Sequence, residues 1–206
     1  MLWRHGRTEW NSTGRFQGQL DIGLDDVGRA QAERAAGMLA ALDPAAIVSS
    51  DLSRAAATAA PLARLTGLEV ARDPRLREVY AGEWQGLGFE EIDAKYPDES
   101  RAWSLGDPAA RPPGGESRRE AAERGLAALR AAADLVGPGE TVVAVTHGGT
   151  SRVAMAALIG LPEAHWAALG GLSNCCWSVL HEGRSGWRLV EHNAGTLPEP
   201  VLGEEG

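Results

Sequence analysis

Apolar positions along the chain fall into two rhythms. Short runs with apolar residues at successive or alternate positions occur at 2–4, 46–50, 68–71, 141–146, 175–180 and 187–192, and these predict six strands. The run at 141–146 is apolar at nearly every position, as expected for a central strand buried on both faces. The last two runs flank a turn containing Gly and Ser and predict a hairpin. Between the strands the rhythm changes to a helical one. Val27, Ala30, Ala35, Met38, Leu39 and Leu42 predict a helix over 26–42, with Asp25 or Asp26 as its cap. Further helices are predicted over 52–66, 116–135 and 150–158, with a short one near 89–95.

Strands alternating with helices specify an α/β fold. The expected architecture is a three-layer α/β/α sandwich, with a mostly parallel central sheet of about six strands and one antiparallel edge strand. At 206 residues the chain suits a single domain. Residues 80–115 read as an insertion over the active-site edge, and 97–115, rich in Pro, Gly, Asp and Ser, as a long loop within it. The stretch 196–206 carries two prolines and reads as a frayed tail. Only three residues precede Arg4, which is short for a central strand, so the natural start is expected upstream of Met1.

Composition narrows the chemistry. With 44% apolar and 23% charged residues the chain is an ordinary globular one, and it has no apolar run of membrane-spanning length. A net charge of −8 argues against nucleic acid as a partner. It does not argue against a small anionic substrate. A phosphate about 4 Å from an arginine gains roughly 4 kcal/mol per charge pair at an effective dielectric near 20, so a local arginine cluster outweighs a diffuse acidic surface. The only cysteines, Cys175 and Cys176, are adjacent in an apolar stretch and read as two reduced, buried thiols, as in a cytoplasmic protein.

Two histidines end predicted strands: His5 in Arg4-His5-Gly6 and His147 in His147-Gly148-Gly149. In parallel α/β sheets ligands bind beyond the carboxyl ends of strands. If these two strands are neighbours, both imidazoles meet over one crevice. The helix after His147 directs its first amides there, which favours an anion.

Those motifs, with Asn11, Gln17-Gly18, Ser49 to Ala55, Leu76-Arg77-Glu78 and Gly82 to Gly86, follow one another in the order found in the histidine phosphatase superfamily, which this chain resembles in its phosphoglycerate-mutase-like branch. The resemblance implies that His5 is the nucleophile and forms a phosphohistidine, its other ring nitrogen donating to a backbone carbonyl. It implies that Arg4, Arg54 and His147 hold the phosphate oxygens, with Asn11 and the Gly148 amide as further donors. Glu78 is implied as general acid and then base, its pKa raised by an apolar wall near Trp84. Gln17 and Gly18 are implied to contact the substrate beyond its phosphate.

Blander readings stand beside these. Arg54 could cap a helix or pair with Asp51, Glu78 could pair with Arg75 or Arg77, and Glu83 competes for the acid's role. Asn11 could be a turn residue, and Trp3 and Trp10 core rather than pocket. Arg111, Arg118 and Arg119 could draw in anions or form a solvated face. His165, His181 and His192 match no motif.

The residues after Glu78 resemble the phosphatase rather than the mutase members. The expected activity is therefore metal-independent hydrolysis of a small phosphomonoester without a cofactor. Residues 18–21, 48–55, 114–117 and 169–174 resemble members acting on a phosphorylated glycerate or sugar such as glucosyl-3-phosphoglycerate, and the resemblance implies that substrate class. A cofactor-dependent phosphoglycerate mutase and a non-catalytic phosphoester binder are the alternatives. A homodimer is expected, through Trp166 or the closing hairpin.

Overall fold

The computed structural model describes residues 1–196. The expected frayed tail, apart from its first residue, lies outside the described residues. Six strands form one sheet: β1 (Leu2–Arg4), β2 (Ala46–Ser49), β3 (Val70–Arg72), β4 (Val142–Thr146), β5 (Trp177–Gly183) and β6 (Gly186–Ala194), in the order β3-β2-β4-β1-β5-β6. The first four are mutually parallel. β5 runs antiparallel to β1, and β6 antiparallel to β5, so the antiparallel pairing is confined to the hairpin at one edge.

The consecutive apolar residues of the central strands are divided between two cores. Trp3, Ile47, Val143 and Val145 face a layer made by α2 (Asp26–Ala40) and α3 (Ser53–Thr66), where Ala32, Ala35, Ala36, Leu39, Ala59 and Leu62 are buried. Leu2, Val48 and Ala144 face the opposite way, onto α6 (Arg118–Ala133) and α7 (Gly148–Leu158), against Leu129, Met155 and Leu158. A strand read as apolar at successive positions is what this double burial requires. Trp3 is therefore core, fully buried, with its indole N–H donated to the Cys175 carbonyl.

Local chemistry sets the helix starts. The Asp25 side chain accepts from the Gly28 amide and caps α2. Ser117 and Glu120 form a reciprocal capping box, so α6 begins at Arg118 and not at 116. α7 begins two residues earlier than its periodicity indicated, which makes His147 its N-cap.

Two expectations are corrected. Residues 97–115 are not a continuous loop, because α5 occupies Pro97–Ser104. Proline stands at its start, where the missing N–H costs nothing, Asp98 and Glu99 follow in the first turn, and Arg101 lies in the last. These are helix-start signals that the Pro- and Gly-rich composition obscured. With the preceding α4 (Phe89–Lys95) this segment has a small core of its own, in which Ala81, Trp84 and Ile92 pack with Phe16, Tyr96 and Trp103. Trp166 is also not available as a dimer contact. It is buried against Ala121, Val153 and Ala156, with its indole N–H on the Leu161 carbonyl. Among the described residues, no helix is long and apolar enough to cross a membrane.

One close approach fixes the loop after β1. A Cβ on Gly28 would lie 2.0 Å from the Arg7 carbonyl oxygen, and one on Gly6 would lie 2.4 Å from that of Gly28. Helix α2 therefore touches the His5 loop backbone to backbone. Gly37, one face away on the same helix, has nothing within 4 Å. Gly28→Ala is expected to destabilise the fold by about 1–3 kcal/mol, and Gly37→Ala to stabilise it by roughly 0.5–1 kcal/mol, both read from urea unfolding midpoints. Equal effects of the two substitutions would contradict the contact.

Candidate active site

Pairing of β1 with β4 creates the site. Arg4 stands opposite Thr146, so His5 and His147 leave the two strands at the same level. The His5 amide donates to the Thr146 carbonyl at 3.0 Å and extends the ladder by one step. The two imidazole centroids are 5.1 Å apart, inclined at 59°. Both rings are buried.

His5 and His147 differ in what their nitrogens do. His5 Nδ1 lies 2.7 Å from the Gly6 carbonyl, which accepts only an N–H, so Nε2 carries the lone pair. In His147, Nδ1 accepts from Arg54 Nε at 3.2 Å, and Nε2 is 2.9 Å from the Ser50 hydroxyl. Arg54 can only donate, so the His147 proton sits on Nε2 and goes to Ser50. Both its nitrogens are engaged, and His147 is not among the residues lining the cleft. Its ring stands beside that of His5 and holds Arg54.

Arg54 enters from the first turn of α3, fully buried. It does not pair with Asp51, whose carboxylate is taken by Arg77. Its Nη1 donates to the Leu20 carbonyl and its Nη2 to the Gly18 carbonyl, each at 2.8 Å. Among the described residues it makes no salt bridge. Burial lowers its pKa to about 10, with Glu78 and Asp21 opposing the shift, so it remains cationic at neutral pH. A buried guanidinium held by carbonyls and one imidazole is short of negative charge and suited to receive an anion. Arg4 joins it, with Nη1 on the Leu172 carbonyl and the guanidinium against Gly148, where a Cβ would lie 3.4 Å from Arg4 Cζ.

Glu78 faces this group from the far side. Its carboxylate accepts from the amides of Val79, Gly149 and Thr150 at 2.8, 3.1 and 3.0 Å, and so sits on the N-terminus of α7. Arg75 and Arg77 pair with Asp73 and Asp51, which leaves Glu78 to the cleft. Trp84 belongs to the core of the neighbouring segment, and the apolar residue beside Glu78 is Val79. Glu83 is elsewhere, accepting from the Tyr96 hydroxyl. Arg124 reinforces the position of Glu78 from behind by donating to the carbonyls of Arg75, Arg77 and Glu78.

The remaining expected residues divide by role. Asn11 lines the cleft, and its Oδ1 accepts from Thr8 and from Asn174 Nδ2, which leaves its own amide N–H groups for a ligand. It also closes a capping box with Thr8 at the start of α1 (Glu9–Ser12), so the turn reading holds together with its place at the cleft. Gln17 lines the cleft with a buried Oε1 that has no hydrogen-bond partner among the described residues. Gly18 has φ +52, and a Cβ there would lie 2.3 Å from Gln85 Oε1; its carbonyl anchors Arg54. The Gly148 amide, in the first turn of α7, is the one there that Glu78 does not take.

Sequence reading missed Ser50, Thr58, Asn174 and Arg152. Thr58 accepts from the Gly6 amide, and Asn174 donates to the His5 carbonyl. Of these four, Arg152 lines the cleft, which has a volume of about 290 Å³ and is also lined by Phe16, Phe89, Trp103 and Arg118.

Both histidines are held well below the usual imidazole pKa of 6.5, first by burial and then by the nearby Arg54 charge. They are neutral in the fold, whereas the unfolded chain takes up protons below about 6.5. The unfolded state therefore gains protons as pH falls, and stability that is full above about 6.5 is lost toward the folded-state values. The urea-unfolding free energy is expected to fall by up to roughly 1 kcal/mol per pH unit for each histidine below about pH 6.5. His5→Asn should flatten that slope. An unchanged slope in the variant would show that His5 is not buried neutral.

A family model for the histidine phosphatase superfamily (branch 1) matches residues 1–195. The chain is 46% identical over 187 residues to glucosyl-3-phosphoglycerate phosphatase of Mycobacterium tuberculosis, covering 87% of this chain and 83% of that protein. It is 38% identical over 184 residues to a metal-independent phosphoserine phosphatase of Arabidopsis thaliana, covering 88% and 75%. Among solved structures, a mycobacterial glucosyl-3-phosphoglycerate phosphatase in complex with VO3 superposes with a TM-score of 0.88 at 44% identity, over 94% of this chain and 98% of that one. The chain belongs to the histidine phosphatase superfamily, branch 1.

Proposed function

We propose that this protein hydrolyses a small phosphomonoester through a phosphohistidine on His5, acting as one domain with residues 80–115 as the outer wall of the cleft. The observation that carries the reading is the tautomer of His5, whose Nδ1–H is committed to the Gly6 carbonyl, so that a neutral Nε2 lone pair faces a cleft containing Arg4 and Arg54. Nε2 attacks phosphorus, the bond to the ester oxygen breaks, and Glu78 delivers a proton to the departing alkoxide. Glu78 then takes a proton from water as that water attacks the phosphohistidine, which releases inorganic phosphate and restores His5.

Arg4, Arg54, Asn11 and the Gly148 amide hold the phosphoryl oxygens, and the buried Arg54 charge is offset most when negative charge accumulates there. His147 fixes Arg54. No metal or cofactor is needed for these steps.

The substrate class we favour is a phosphorylated glycerate or sugar such as glucosyl-3-phosphoglycerate, supported by the similarity to enzymes of that name over most of the chain. Gln17, with its buried unpartnered carbonyl oxygen, supplies an acceptor for a substrate hydroxyl. The two free thiols fit a cytoplasmic protein; burial pushes the Cys175 thiol up to about 12 and leaves it inert. The β5–β6 hairpin is the surface we favour for a homodimer.

His5→Ala should reduce phosphate release, assayed with a chelator present, by at least about 10⁴-fold. Glu78→Gln should cost about 10²–10⁴-fold with sugar phosphates and markedly less with p-nitrophenyl phosphate, whose leaving group needs no proton. An active His5→Ala protein would refute the nucleophile. Equal losses for both leaving groups would remove Glu78 as the acid.

A further inference from the structure

Three arginines cluster at the start of α6 and just before it, and they are not equivalent. Arg111 pairs with Glu120 and Arg119 with Glu163, so both are neutralised. Arg118, between them in sequence, pairs with no carboxylate among the described residues. Its guanidinium lies 3.7 Å over the ring of Trp103, and among the described residues its one hydrogen bond is a long one, 3.4 Å, to the Asp107 carbonyl. Arg152, from α7, is in the same condition. Its Nη2 and Nε donate to the carbonyls of Ala167 and Trp166, and it too has no salt bridge among the described residues.

Both side chains line the cleft that contains His5, and both are half-buried. Two guanidinium groups near one another, partly desolvated and without an acid, repel each other. Burial and the Arg152 charge lower the Arg118 pKa to about 10, with Asp107 opposing the shift; both arginines stay charged at neutral pH. An anion bridging them would relieve that repulsion, and the Trp103 face fixes one of them in place.

We propose that Arg118 and Arg152 form a second anion subsite, which takes the carboxylate of a glycerate-type substrate while its phosphoryl group lies against His5. The inference rests on the phosphomonoester reading above and refines it. The cleft then selects esters with two anionic ends, and the neutral part of the substrate lies between Trp103, Phe16 and Gln17. Arg118 and Arg152 act on specificity, not on the chemical step.

Two ligands differ at this end alone: 3-phosphoglycerate carries a carboxylate where glycerol 3-phosphate carries a hydroxymethyl group. Their dissociation constants are measured by calorimetry on His5→Ala protein, which does not turn them over, and on the same protein with Arg118→Gln. The parent is expected to prefer 3-phosphoglycerate, and Arg118→Gln to cut that preference by about tenfold or more. Arg118→Lys should restore part of it. Arg152→Gln carries the same expectation and serves if Arg118→Gln does not fold. No preference in the parent, or a preference unchanged in the variants, overturns the subsite. Phosphate release by the unaltered protein is a separate readout. If it is absent while the preference still collapses, the hydrolase reading fails and the subsite stands.

Discussion

Parallel pairing of β1 with β4 is the constraint on which everything else depends. Arg4 opposite Thr146 puts the next residue of each strand, both histidines, at one height above the sheet. A slip of one position would move every side chain of β1 to the other face. It would put Trp3 into the core on the α6–α7 side and send His5 away from the cleft. The large buried indole therefore guards the register that the chemistry needs. Its N–H bond to the Cys175 carbonyl ties the same strand to the hairpin edge.

The site is then built in two layers. The inner layer is rigid: His147, Ser50, Thr58 and the carbonyls of Gly18 and Leu20 hold Arg54 and the His5 loop in place. The outer layer lines the cleft and is richer in aromatic side chains. Phe16 meets Trp84 and Phe89 edge-on, and Trp84 meets Trp103 in the same way, so the wall that presents Arg118 is itself packed. Positive charge inside a protein of net charge −8 is thus concentrated where solvent is scarce, and the acidic surface does not cancel it.

Much of this was legible in the chain, for definable reasons. The continuous apolar run of β4 and the helical rhythm of α2 are set by burial and reach through few residues, so they survive as patterns. His5 and His147 were legible because each ends a strand and precedes glycine. Residues whose roles depend on tertiary partners were not. Ser50 is one of two adjacent serines, and only the fold shows which faces His147. The motif marks His147 as a site residue, but its bond from Arg54 is set by the packing of α3 on the sheet and has no signature in sequence. α5 was misread because proline and acidic residues signal either a loop or a helix start, and only the packing of Trp103 decides. Arg118 and Arg152 lie on different helices, and their shared lack of an acidic partner has no signature in sequence.

His5 and His147 follow strands that lie about 140 residues apart in the polypeptide, and the His5 carbonyl is held by Asn174, later still. No fragment ending before β4 contains a reactive centre, however well its first helices form. A covalent label on His5 would consequently mark only molecules whose sheet has closed, and the labelled fraction sets a lower bound on completed folds.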